Sequence, residues 1–468
     1  MAAPAFFRLG KFMKNFSFYH VSDLHLYATK AIGSFGKFFE ARCNTDQKCI
    51  AESEAIIDSA FSEMLQDKET KHIIISGDLT NDGEKESHAL LLEKLKMLKE
   101  KGKTVYVTFA THDYFMEAKR YTDEGEELLP TYSREELRQL YNDFGWNEAV
   151  SEHVPSYSYA VVPHKNVRIL MLNDDGDGKA FCGYDESLMN WIENQCFEAK
   201  EKNQRIIGVT HHPAMPPSIV FPLFSHRDML GDYEKTTPRL ADMGVEFMFT
   251  GHTHMHDIDY LDTEKGNRLY HINTGSVVGY PAPYRKVTLE EFGIDIKTLN
   301  VKDFSWDKKG MTTEEYLKDH FSFMLRDLFD SMENDIEQFK EYAIGFSMER
   351  ETVDKLKPLI KTLGKTVNSI TFKTVGKLLF IGNKIDKSIE DKKVKDFVVE
   401  MITGVFSGIK NYPPHTSEYK AAMALAKRLS PIIRFKDFYG NAIELEEIMK
   451  DLLYNTCAYD NSNAFLPY

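Results

Sequence analysis

The stretch Phe16–His25, FSFYHVSDLH, opens on a run of aromatic, β-branched and small residues and closes on Asp23-Leu24-His25. The run has the composition of a strand buried on both faces. Residues two apart in an extended segment point the same way, so Asp23 and His25 can present two donors to one point. The pattern recurs downstream. His72–Ser76 (HIIIS) leads into Gly77-Asp78, and Thr104–Phe109 (TVYVTF) into His112-Asp113. Arg205–Val209 (RIIGV) leads into His211-His212-Pro213, and Glu246–Phe249 (EFMF) into Gly251-His252-Thr253-His254. Val167–Leu172 (VRILML) is a further strand, and helices are expected near 46–66, 85–101, 134–144 and 184–202. This alternation is α/β order.

In an open α/β sheet the carboxyl ends of the strands share one crevice, so these five ligand-bearing segments are expected to converge. A lone D-x-H or H-x-H is ordinary and usually caps a helix or lies on the surface. The argument rests on five such elements, each directly after a strand. Neutral imidazoles with carboxylates suit divalent transition metals such as Mn, Fe or Zn. One aspartate between two such clusters can bridge two ions roughly 3.5–4 Å apart, a spacing that clamps the oxygens of a phosphoryl displacement. Asp78, preceded by a glycine that permits close backbone approach, is the bridge candidate.

After Glu246 strand follows strand, with Arg268–Asn273, Lys286–Leu289 and Gly293–Leu299, so a mixed or second sheet is expected to close this part. Beyond residue 300 the strands are expected to stop. Thr312-Thr313-Glu314-Glu315 reads as a capping box opening a long helix, with apolar residues from Leu317 to Phe339 three or four apart. Further helices are expected near 351–363, 386–408, 416–429 and 442–455. The expected division is an α/β catalytic domain over 1–300 and an all-helical domain over 301–468. The stretch Thr366–Ile381, apolar with lysines and no acid, could pack on the catalytic domain, cover the site or build a dimer.

The chain has 468 residues, 42% hydrophobic and 28% charged, which are globular values and exclude wholesale disorder. Its 58 basic and 72 acidic residues leave a net charge of −14, against a nucleic-acid polymer as partner. Residues 1–300 hold 33 basic and 46 acidic of these, so the acidity belongs to the α/β part. Five cysteines without a C-x-x-C pair suggest free thiols in a reducing compartment, with a Cys43–Cys49 bridge as the alternative. Arg8, Lys11 and Lys14 interrupt what would be the apolar core of a signal peptide, and no segment reaches the about 18 apolar residues of a membrane span. The expected place is the cytoplasm, with no membrane partner, and Met13 is a possible alternative start.

The order D-x-H, G-D, H-D, H-H-P, G-H-T-H, followed by Asn273-Thr274-Gly275-Ser276, resembles the calcineurin-like metallophosphoesterases over roughly residues 16–300. It looks most like their bacterial cyclic-nucleotide-phosphodiesterase-like branch, some members of which carry a helical extension. The resemblance implies a β-sandwich flanked by helices and two divalent metal ions. It puts Asp23, His25 and His254 on the first metal, Asp78 as the bridge, and His211 and His252 on the second. His112 would be the catalytic histidine, oriented by Asp113. One position departs from the pattern: the family usually has Gly-Asn where this chain has Ala110-Thr111, and that asparagine is a ligand of the second metal. A threonine hydroxyl is shorter and a poorer donor, so Thr111 is either a weak ligand or merely a loop residue.

The expected activity is hydrolysis of a small phosphodiester, cyclic-nucleotide-like, by a metal-bridging hydroxide, with His112 serving the departing alkoxide. Phosphomonoester or nucleotide pyrophosphate hydrolysis on the same fold is the alternative. A non-catalytic scaffold is the reading from another class. Asn173-Asp174-Asp175 and Tyr284-Arg285 could contact substrate, or be turn chemistry and a surface pair.

Overall fold

In the computed structural model, which describes residues 16–176, 182–224, 226–345, 350–437, 440–454 and 460–468, the first strand is β1 (Phe16–Val21). It is buried on both faces, as its apolar run requires. Phe18 and His20 meet Phe249 of a second sheet, with ring centroids 5.4 and 5.1 Å apart, while Tyr19 on the opposite face packs against Tyr284.

Beside β1 lie β2 (His72–Ser76) and β3 (Thr104–Thr108), both parallel to it in order. Two short strands, β4 (Lys119–Tyr121) and β5 (Glu126–Leu128), form a hairpin of their own. Then come β6 (Ser151–His153), β7 (Ser158–His164), β8 (Val167–Met171), β9 (Arg205–Val209), β10 (Phe247–Thr250), β11 (Asp257–Asp262) and β12 (Arg268–Asn273). The chain continues through β13 (Pro283–Leu289), β14 (Gly293–Asn300), the small hairpin β15 (Phe435–Lys436) and β16 (Ala442–Ile443), and β17 (Asn463–Pro467).

Two mixed sheets result, one ordered β17-β14-β13-β1-β2-β3 and the other β11-β12-β10-β9-β8-β7-β6. The expected second sheet therefore begins at Ser151, well before Glu246, and β13 and β14 return to the first sheet. One apolar core joins the facing sheets to the helices Ser53–Gln66 and Lys85–Glu100. A second core lies under the helices Glu186–Glu201 and Tyr233–Met243 on the outer face of the other sheet.

The helix expected over 46–66 starts only at Ser53. Ahead of it a loop runs from Thr45, turned by Asp46, whose Oδ1 accepts the Lys48 N–H at 2.8 Å, and tied down by Cys49 N–H donating to Val278 O at 2.8 Å. Asp side chains that bond their own backbone two residues on favour turns over helix, which is why apolar periodicity misread this segment.

Past residue 300 the capping box is found as read. Thr312 Oγ1 accepts the Glu315 N–H, and Glu315 returns a bond to Thr312 N, opening the helix Thr313–Asn334. Leu317, Phe321, Met324 and Leu325 of this helix join the main core. Strands do not stop at 300, however. β17 adds to the edge of the first sheet, with Leu466 opposite Ile294. It is legible only afterwards: five residues in which Ala464 and Leu466 turn inward, with Pro467 tolerated because the strand is an edge.

Cys43 and Cys49 are free thiols, so the Cys43–Cys49 bridge is not formed. Cys457, Met13 and the Arg8–Lys14 stretch lie outside the described residues. Among those described, no helix is long and apolar enough to cross a membrane.

Candidate metal centre

The parallel strands β1, β2 and β3 of one sheet and β9 and β10 of the other end on the same side, and the loops leaving them meet. The first two loops continue the β1–β2 pairing, with Asp23 N–H donating to Gly77 O at 3.3 Å and His25 N–H to Asp78 O at 2.9 Å. Three overlapping groups of donors form: Asp23 with His25 and His254, His25 with Asp78 and His112, and Asp78 with His211 and His252. Within them His25 Nε2 lies 3.0 Å from His254 Nε2 and 3.5 Å from Asp78 Oδ2. His211 Nε2 lies 3.1 Å from Asp78 Oδ2 and 3.2 Å from His252 Nδ1, while His254 Nε2 is 3.4 Å from Asp23 Oδ1.

This convergence is bought with backbone strain. Asp23, His25, Asp78, His252 and His254 all have φ between 39° and 68°, and they are five of the eleven non-glycine residues with positive φ among those described. Left-handed backbone costs an L-residue about 1–2 kcal/mol, so the surroundings must over-determine it, as they do at functional sites. The glycines of the motifs serve the same crowding. A Cβ on Gly251 would stand 1.7 Å from Ser22 Oγ and 2.3 Å from Asp23 Oδ2, and Gly77 has φ of 89° with His211 Nδ1 2.8 Å from where its Cβ would be.

Asp23, His25, Asp78 and His211 are buried, whereas the side chains of His112, His252 and His254 are 22, 20 and 13% exposed. The cluster thus has a floor and a mouth. Burial alone would raise the Asp23 carboxyl, but His25, His254 and His211 hold it well below the usual range; His211, His112 and His25 do the same for Asp78. Burial and nearby Lys48 push His25 down to about 3, which keeps it neutral with a lone pair to offer. Burial would also lower His211, but Asp78, Asp23 and Asp174 draw it up to about 10, a measure of the negative potential gathered here.

Among the described residues no Lys or Arg is ion-paired with Asp23 or Asp78, and only histidines face them. Two buried carboxylates need compensating charge. This donor set of oxygen and imidazole nitrogen fits divalent transition metals.

The outer bonds orient the donors. His211 Nδ1 faces Ser76 O at 2.8 Å and His254 Nδ1 faces Gln47 Oε1 at 2.5 Å, each fixing the tautomer that leaves Nε2 free to ligate. Asn273 braces the Gly251–His254 loop, donating from Nδ2 to Thr253 Oγ1 and Met255 O, and Ser276 Oγ donates to Asp23 O at 2.8 Å.

The structure reassigns Asp113. Its carboxylate accepts backbone N–H groups from Leu79, Thr80 and Ala110 at 2.8, 3.1 and 2.9 Å and so braces the loop under His112. The His112 ring is held by Asn81 O at 2.5 Å and Asp82 Oδ1 at 3.0 Å from Nδ1. Asp82 was missed because the sequence offered His112-Asp113 as neighbours, although adjacent side chains seldom face each other. Gln47 was missed because its segment read as helix. Thr111 opens the short turn Thr111–Asp113 and is half-buried.

The other substrate candidates have partners within the protein. Arg285 is fully buried, donating to Asn273 O, Asp257 O and Asn461 O at 2.9, 3.2 and 2.9 Å and to the hydroxyls of Thr274 and Thr298. Tyr284 donates to Glu63. Asn173 accepts the Phe109 N–H, Asp174 holds His212 Nδ1 at 3.0 Å, and Asp175 pairs with Arg134 at 2.9 Å.

Residues 16–256 match the family model described as Calcineurin-like phosphoesterase. The chain is similar to a dimetal phosphatase from Danio rerio, at 15% identity over 62% of this chain and 97% of that one, with a TM-score of 0.44. It is also similar to a purple acid phosphatase from yellow lupin (Lupinus luteus) seeds, at 12% identity over 62% and 52%, with a TM-score of 0.38. No curated protein matches it.

Proposed function

The chain belongs to the calcineurin-like phosphoesterase family, with its α/β fold of two mixed sheets and a helical region behind, and from that membership we propose that it hydrolyses small phosphodiesters of the cyclic-nucleotide-like kind. It is a metal-dependent phosphoesterase. The observation that carries the reading is the meeting of two buried carboxylates with four imidazoles, His25, His211, His252 and His254, with no Lys or Arg ion-paired to either carboxylate among the described residues.

Asp23, His25 and His254 would hold one cation, His211 and His252 another, and Asp78 would stand between; Thr111 is a candidate neutral donor for the second. Such cations supply Lewis-acid activation of water and of the phosphoryl group. His112 is the proton donor for the leaving oxygen. Its Nδ1 is held by Asn81 O and Asp82, which leaves Nε2 to serve the departing group.

Metal analysis with Mn, Fe or Zn added back, together with turnover of bis-p-nitrophenyl phosphate against p-nitrophenyl phosphate, tests the proposal. Bound metal with faster diester turnover is expected. Preference for the monoester overturns the diester reading, and no metal with no turnover leaves the scaffold.

A further inference from the structure

We infer that Gln47 is a positioning residue for His254, and that the helix Thr313–Asn334 holds the Gln47 loop in place, so that the helical region helps build the first metal position. The inference rests on the metallophosphoesterase reading and extends it to residues outside the motif set.

The first step is the tautomer. His254 can ligate through Nε2, which faces Asp23 Oδ1 at 3.4 Å, only if Nδ1 carries the proton. That proton needs an acceptor, and Gln47 Oε1 is 2.5 Å away. The opposite amide orientation would set an NH2 group against Nδ1 and force the proton onto Nε2, destroying the ligand. Gln47 Nε2 meanwhile is buried with no hydrogen-bond partner among the described residues. An unpaired buried donor is costly, so what the side chain contributes here is its oxygen.

The second step is what holds the loop. Two of its ties lie outside the helical region, the Asp46 turn and the Cys49 bond to Val278 O. Two more come from the helix Thr313–Asn334. His320 Nε2 faces Asp46 O at 2.9 Å, so its N–H donates to the carbonyl of the residue before Gln47. Tyr316, one turn earlier on the same face, donates its hydroxyl to Glu52 Oε1 at 2.5 Å, just past the loop. The loop also reaches the other wall of the site: Asp46 is ion-paired with Arg42, whose Nη2 is 4.0 Å from Oδ2 of Asp82, the partner of His112.

The test is titration of the metal-stripped full-length protein with Co(II), read by calorimetry and by the ligand-field absorption of the bound ion. Gln47→Ala should weaken the first ion about tenfold to a hundredfold, while Gln47→Glu, which keeps an acceptor oxygen, binds at least as tightly as wild type. His320→Ala should weaken the first ion several-fold in the wild-type background and add nothing in the Gln47→Ala background, because both act through one contact. Thr312→Ala, which removes the cap of the same helix without touching the loop, should leave affinity unaltered. Gln47→Ala with unchanged affinity overturns the positioning role. So does a His320→Ala effect of equal size in both backgrounds, or a Thr312→Ala effect as large as that of His320→Ala. A wild-type protein that takes up no divalent ion overturns the phosphoesterase reading along with this one. Two bound ions with Gln47→Ala indifferent overturn this inference alone.

Discussion

Asp82 Oδ1 lies 3.0 Å from His112 Nδ1, in the position that the sequence neighbour Asp113 was expected to fill. Burial would lower the His112 pKa, but Asp78 and Asp82 outweigh it and hold the ring above its ordinary value. A proton donor with a raised pKa stays protonated to higher pH, so activity should persist on the alkaline side. Asp82→Asn removes one raising charge, and the alkaline limb of kcat/KM against pH should move to lower pH. Asp113→Asn should cost stability and leave that limb in place.

His112→Ala should lower kcat on a diester with a poor leaving group by about a hundredfold to ten-thousandfold, with bound metal unchanged. Equal turnover by the variant would remove His112 from the chemistry. Repeating the assay with a p-nitrophenyl leaving group should shrink the loss, because that group departs without a proton.

Chelation should lower the melting temperature, since an ion bound only by the folded state stabilises it by about 4 kcal/mol at a thousand times its dissociation constant. Asp78→Ala, which takes away the donor shared by two of the ligand groups, should make melting insensitive to chelator. Thermal melts of both proteins with and without chelator check this.

Arg285→Met should destabilise the protein by about 3–5 kcal/mol, because five acceptors, four of them on buried residues, each lose a hydrogen bond at once. Urea unfolding measures it. KM should be unaltered, since the guanidinium touches Asn273, Asp257, Asn461, Thr274 and Thr298 and is fully buried. A rise in KM at unchanged stability would restore a substrate role.

Deleting residues 305–468 should yield an aggregating protein. The cut strips Leu317, Phe321, Met324 and Leu325 from the main core and removes β17 from the sheet, leaving the outer edge of β14 unpaired. A soluble, monomeric truncation with an unchanged melting temperature would show that the helical region is dispensable to the core.

The strands that carry ligands were legible almost to the residue, His72–Ser76 and Arg205–Val209 among them, because doubly buried strands are short, apolar and followed at once by the loop that matters. The Thr312 cap was legible for the same local reason. The segment ahead of Ser53 was not. Its apolar spacing satisfied a helix, while a side-chain turn at Asp46 and a bond to distant Val278 decided otherwise.

The sequence by itself determined the α/β order and the set of aspartates and histidines gathered after the strands, since both follow from spacing along the chain. Only the tertiary structure decided which residues support those donors. Asp82 rather than Asp113 holds His112, Gln47 holds His254, Arg285 belongs to the interior, and the last strand closes the first sheet. A hydrogen bond is set by direction and distance at a few ångströms, and Gln47 and His254 stand 207 residues apart in the chain, so spacing along the sequence held no trace of their meeting.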